Sequence, residues 1–208
     1  MSQSILEQLQ SRLDPAAIQQ IASTVGVPPE QAQSAVNVAL PTLVSALAGN
    51  ASTESGASSL ASALSKHADN PAMGNIVGML SQASSSQAGQ AILGHVLGGR
   101  QEEVQTQVSG VTGLQPNQIG QIFSMLAPIV MNVVGQQGKA QGGLDLGNVM
   151  QMMQKEGANA QQAGGANLGG MLGSLLSGGN EGGDSGGLKG ALAQQGMKAL
   201  GGFLGRKK

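Results

Sequence analysis

A chain of 208 residues has room for one or two domains, and 40% of this one is apolar, with Phe123 and Phe203 as its only aromatic residues. Without large rings the core has to be built from Leu, Ile, Val, Met and Ala, a composition that favours helix packed on helix. The 10 basic and 11 acidic residues leave a formal charge of -1, which excludes a global field for nucleic acid or anionic membrane, and the absence of Cys excludes disulfides, thiolate nucleophiles and Cys-ligated zinc.

Ser4 and Glu7 form an S-x-x-E capping box that opens a helix through Leu13, with Ile5, Leu6, Leu9 and Leu13 on one face. Because this segment carries no basic stretch and alternates apolar with polar residues, it does not read as a signal peptide. Asp14-Pro15 is a second start, a cap followed by Pro at the first helical position, and Gly26 supplies the stop. After Val27-Pro28-Pro29 a longer helix carries Ala32, Ala35, Val36, Ala39, Leu40, Leu43, Val44 and Leu47 on its apolar face. Pro41 is expected to kink or divide it.

Asn50–Ser58 reads as a loop, and helical patterns follow at Ser59–His67, Ala72–Gln82 and Gln87–Leu97, with Asp69-Asn70-Pro71 as a turn. Gly98-Gly99 ends the third of these, and Gln101–Val111 is another amphipathic helix. The two most apolar runs, Val36–Gly49 and Ile122–Gly135, are each 14 residues long, against the roughly 20 that span a bilayer. A cytoplasmic location is therefore expected.

A shift of 87 residues lays the stretch from Val25 to Ala32 on the stretch from Thr112 to Ile119, matching Gly26 to Gly113, Pro29 to Pro116 and Gln31 to Gln118. The same shift carries Pro41 to Pro128, Val36 to Phe123 and Leu43 to Val130. Coincidence of Gly, two prolines and Gln in one register points to an internal duplication, 15–49 and 102–136, of a Pro-kinked helix-turn-helix unit. The repeated residues are structural and none is charged, so the repeat specifies packing rather than chemistry.

Past Gly138 the composition changes, and half of the 34 glycines lie in 157–208. Leu144–Lys155 is helical and Met-rich, whereas 156–187 is rich in Gly, Gln, Asn and Ser and reads as largely flexible, with an apolar island at Leu168–Leu176. The division expected is a helical domain over 1–155 and a Gly-rich tail over 156–208. The tail ends in a weak amphipathic helix that combines Leu188, Leu192, Leu200, Phe203 and Leu204 with Lys189, Lys198, Arg206, Lys207 and Lys208.

Three motifs invite a function. Ile21–Val36 has the spacing of a DNA-binding helix-turn-helix, yet no Lys or Arg stands between Arg12 and Lys66 or between Arg100 and Lys139. Duplex affinity comes largely from such cations, so nucleic-acid binding is not expected. His67 and His95, with Asp69, Glu102 and Glu103 as nearby acids, form no HExxH or triad-like pattern. No metal, cofactor or catalytic residue is therefore assigned, and the His95 imidazole is expected to be partly buried and hydrogen-bonded. Gly94 and Gly98, like Gly169 and Gly173 or Gly170 and Ser174, are small-xxx-small pairs, read as close helix packing in a soluble fold.

The string Ala91-Ile92-Leu93-Gly94-His95-Val96-Leu97-Gly98-Gly99-Arg100, followed by Leu126-Ala127-Pro128-Ile129-Val130-Met131, resembles a bacterial domain-of-unknown-function family that lies near the YidB-like helical proteins. The likeness covers about residues 15–135 and implies a multihelical fold and a bacterial source, with no activity, cofactor or catalytic residue to carry over.

The expected protein is thus all-α: a multihelical array containing two Pro-kinked helix-turn-helix units, plus a flexible Gly-rich C-terminal tail. Its expected function is non-enzymatic interaction or assembly, through a protein partner or self-association. Weak peripheral contact of the basic C-terminal helix with an anionic membrane, and helix-turn-helix DNA binding, are the alternatives.

Overall fold

A computed structural model describes residues 4–68, 76–83 and 87–163, and all regular structure among them is helical. The described residues belong to one unit, Met1–Gly178, while the second unit, Gly179–Lys208, lies outside them. The basic terminal helix expected at Leu188–Leu204, the Leu168–Leu176 island and the Asp69-Asn70-Pro71 turn all fall outside the described residues.

Helix α1 (Ile5–Arg12) starts at Ser4, whose hydroxyl accepts from Glu7 N while the Glu7 side chain accepts from Ser4 N. Helix α2 (Pro15–Val25) starts at Asp14, whose carboxylate accepts from Ala17 N at 2.8 Å, and stops at Gly26 in the left-handed region (φ 75°). Helix α3 (Pro29–Asn50) runs unbroken through Pro41. Helix α4 begins at Glu54 and ends at Ala68, so the loop expected over Asn50–Ser58 shrinks to three residues. The start is fixed locally, because the Thr53 hydroxyl accepts from Gly56 N at 3.2 Å as an N-cap does.

Helices α5 (Ile76–Ala83) and α6 (Gln87–Leu97) are followed by one 3-10 turn, Gly98–Arg100, and by α7 (Gln101–Thr112). Gly113 ends α7 in the same left-handed conformation as Gly26 (φ 73°), and α8 (Pro116–Ala140) again starts with Pro and runs through Pro128. The two joints that align in the sequence therefore both pass through a left-handed glycine, with ψ 40° at Gly26 and 6° at Gly113. They also touch, since Gln118 Nε2 donates to the carbonyl of Val25 at 3.4 Å. Helix α9 (Leu146–Ala163) continues eight residues past Lys155 with Glu156, Gly157 and Ala160 buried, so the expected boundary at 155 falls inside a helix.

Helices α3 and α8 form the centre. Residues 39–48 of α3 are all buried, as is nearly all of α8 from Ile122 to Gly138, and the other helices pack around the pair. Both central helices, at 22 and 25 residues, are long and apolar enough to cross a membrane, although the expected apolar runs alone are not. Within this fold 72% and 78% of their most apolar windows are buried, as in the core helices of a soluble protein.

The chain's C-terminal described helix is locked to its N-terminal one. Glu156 on α9 is 3% exposed and its carboxylate accepts from Ile5 N at 3.0 Å. Two side-chain bonds tie α1 to α8, from Gln8 Nε2 to Gln137 Oε1 at 2.6 Å and from an Arg12 guanidinium nitrogen to Gln136 Oε1 at 2.9 Å. Asn132, fully buried, donates to the carbonyl of Ala68 at 3.2 Å and so fixes the end of α4 against α8.

Candidate functional site

Helices α4 and α6 both rest on α8 but diverge from each other at the surface, leaving a cleft of about 630 Å³. One wall is a single stripe of α4, with Ser55, Ser59, Ser62 and Lys66 at i, i+4, i+7 and i+11. The opposite wall is Ala91 and His95 of α6. Leu60 and Ala63 of α4, Ile92 and Val96 of α6 and Met131 of α8 make the floor. Asn50, at the end of α3, closes one end and donates through Nδ2 to the carbonyl of His95 at 2.8 Å, which ties α3 to the end of α6.

The cleft is apolar below and polar above, and its ionisable lining residues are Lys66 and His95, with no carboxylate among the described lining. Hydroxyls and a cation at the rim orient a ligand, while the floor offers contact area. What the cleft lacks, among the described residues, is a nucleophile held by a base: Ser55, Ser59 and Ser62 are exposed with no imidazole or carboxylate bonded to them.

The His95 side chain is exposed, which corrects the expectation of a partly buried imidazole. The apolar neighbours Ile92, Leu93, Val96 and Leu97 take the inward face of α6, and His95 falls outside that stripe. His67 lies near the end of α4, but its side chain falls outside the described residues, as does Asp69. Glu102 and Glu103 sit exposed in the first turn of α7, and no group of three or more His, Asp or Glu among the described residues could hold a metal ion.

The small-residue pairs also resolve differently from expectation. A methyl added at Gly94 or Gly98 would meet nothing within 4 Å, so neither marks a close approach. Close packing occurs instead at Gly89 against Ser124, and at Gly135, where an added methyl would lie 2.9 Å from Ala68 Cβ. The pairs at Gly169, Gly170, Gly173 and Ser174 lie outside the described residues, as do all ten expected interaction residues of the tail.

The segment that resembles a helix-turn-helix provides α2 and α3. The side chains of Gln31, Gln33 and Asn37 are exposed on the first turns of α3, with Gln33 Nε2 donating to Asn37 Oδ1 at 3.1 Å. From Ala39 onward the helix enters the core, so a duplex would meet a polar patch about three turns long with no cation and one acid, Glu30.

The cleft itself was missed by sequence reading. The stripe Ser55-Ser59-Ser62-Lys66 is visible only if the helix starts before Ser59, and the gap between α4 and α6 has no local signal.

Residues 7–137 match the family described as bacterial protein of unknown function (DUF937), and the chain belongs to that family. No curated protein and no solved structure matches it.

Proposed function

We propose that this member of the DUF937 family is a non-enzymatic interaction protein that works in the cytoplasm by holding a helix of a protein partner in the cleft between α4 and α6. The observation that carries this reading is the cleft itself. It has an apolar floor of Leu60, Ile92, Val96 and Met131 under a polar rim. Its α4 wall rises through 11 residues, about 16 Å, which is the length of a three-turn helix. Amphipathic helices dock into grooves of this kind by laying an apolar ridge on the floor and polar groups on the rim. With Lys66 and His95 as its ionisable lining, the cleft favours an acidic helix. The chain's own terminal segment, five cations with no acid after Asp184, has the wrong charge to be that helix.

The like geometry at Gly26 and Gly113 supports reading the core as a duplicated helical unit. On this reading the second joint carries no separate activity and contributes the α8 floor of the cleft.

A photo-crosslinking amino acid placed at Ser62 tests the docking reading in cells, with the same group at exposed Ser23 on α2 as the reference. Protein adducts at 62 that are missing at 23 are expected, and Lys66→Glu should abolish them. Equal adducts at both positions, or none at either, overturn it.

A further inference from the structure

The cleft asks for a short helix that is acidic at one end and apolar at the other, and the chain carries one on its own surface. Among the described residues, Val111 is the large hydrophobic side chain left exposed, at 53%. It lies on α7 in one i, i+4, i+8 ridge with Glu103 and Gln107, and Gln107 Nε2 donates to Glu103 Oε1 at 3.1 Å, which orders the ridge. Glu102 is exposed beside it. Helix α7 is 12 residues long, about 18 Å, against about 16 Å for the cleft wall.

We propose that the occupant of the α4–α6 cleft is α7 of a second copy of this chain, which names the partner left open above and rests on the docking reading given there. Glu103 meets Lys66, and Val111, two turns further on, reaches the floor near Leu60 and Met131. The axial rise from Glu103 to Val111 is about 12 Å, close to the roughly 9 Å from Lys66 back to Leu60. In this direction α7 runs antiparallel to α4, so the positive N-terminal end of one helix lies beside the negative C-terminal end of the other. A net charge of -1 leaves little repulsion between copies.

The two surfaces are different patches, so the contact is head-to-tail unless a twofold axis lets each copy fill the other's cleft. A head-to-tail contact extends into open chains of copies unless its rotation closes a ring. This gives the assembly reading a mechanism: each copy offers one helix and one cleft.

Sedimentation equilibrium of the full chain across a wide concentration range tests it. The expected result is a mass that keeps rising past the dimer, or stops there where each copy fills the other's cleft. Lys66→Glu, the pair Glu102→Lys with Glu103→Lys, and Val111→Asp each weaken association about tenfold, and all four positions are exposed, so the fold is spared. The decisive sample is an equimolar mixture of Lys66→Glu with the Glu102→Lys/Glu103→Lys chain. Each is repelled by its own kind, but every cleft in the mixture meets an α7 of opposite charge, so association returns. A monomeric wild type, single variants that associate like wild type, or a mixture that does not recover overturns the proposal. If the wild type stays monomeric while Ser62 crosslinks to a different protein, self-occupancy falls and the docking reading stands. Absence of any Ser62 adduct removes both.

Discussion

Gly89 on α6 lies so close to the backbone carbonyl of Ser124 on α8 that a methyl group on Gly89 would collide with its oxygen. That carbonyl is the one Pro128 leaves without a partner, because Pro has no N–H to donate to the residue four before it. The Ser124 hydroxyl bonds back to the carbonyl of Gly120 at 2.9 Å and does not serve its own. The helix thus presents a bare oxygen, and the residue facing it is one without a side chain. A Cα–H···O contact there is worth less than a helical bond, but it lets α6 seat deeply enough to form one wall of the cleft.

Gly89→Ala should therefore lower stability by about 1–3 kcal/mol, the range for overpacking a close contact. Gly94, five residues along the same helix, is exposed and has open space where its methyl would be, so Gly94→Ala should gain up to about 1 kcal/mol from helix propensity. Urea unfolding of the two variants decides this, and similar effects at both positions would show that α6 does not seat on Ser124.

If Pro128 creates the seat, the two sites are coupled. Replacing Pro128 with Ala restores a donor to Ser124 and draws its carbonyl into the helical ladder, away from Gly89. The cost of Gly89→Ala should then differ between the two backgrounds by at least about 0.5 kcal/mol, while Gly94→Ala and Pro128→Ala should add to within about that value. A double-mutant cycle on both pairs reads this directly. Additivity at Gly89 as well would sever the link between the proline and the packing.

The extent of α9 yields a third expectation. A chain ended at Lys155 loses the buried Glu156, Gly157 and Ala160, whereas one ended at Ala163 keeps them. Removal of the Glu156 acceptor alone strands the Ile5 N–H, at about 1–3 kcal/mol. The shorter chain should be less stable by at least that amount in thermal unfolding. Equal stability would place the end of the folded unit at the earlier point.

That boundary shows where sequence reading reached its limit. The starts at Ser4 and Asp14, the stops at Gly26 and Gly113 and the bounds of α6 were legible because each depends on a few neighbouring residues. Gly157 was read as part of a flexible stretch because Gly disfavours helix in isolation; it is buried in α9, so tertiary packing overrides propensity. The start of α4 was legible in principle, in Thr53 three residues before Gly56, but Ser and Gly around it look like loop. The all-α class followed from periodicity and from a core without large rings. The exposure of His95 was legible in the Ile92, Leu93, Val96 and Leu97 stripe, which leaves it out, whereas the cleft depends on how three helices diverge, which no local pattern encodes.

The last expectation concerns Glu156 and Ile5. Around the start of α1, Ser4 N donates to Glu7, Glu7 N to Ser4, and Ile5 N to Glu156 from the other end of the folded unit. A carboxylate at a helix N-terminus is stabilised by the bond and by the helix dipole, and burial limits screening of both. Glu156→Ala removes the acceptor and leaves the Ile5 N–H unpaired, at about 1–3 kcal/mol. Glu156→Gln keeps an acceptor oxygen but loses the charge, so its cost should be smaller, about 0.3–1 kcal/mol. Because the pair is buried, the penalty for Ala should persist at about 1 M salt, where exposed charge effects fade. Urea unfolding at low and high salt measures all three chains. If Gln costs as much as Ala, the charge and not the hydrogen bond holds α9 to α1; if salt erases the difference, the carboxylate is solvated and the two helices are held by their apolar faces alone.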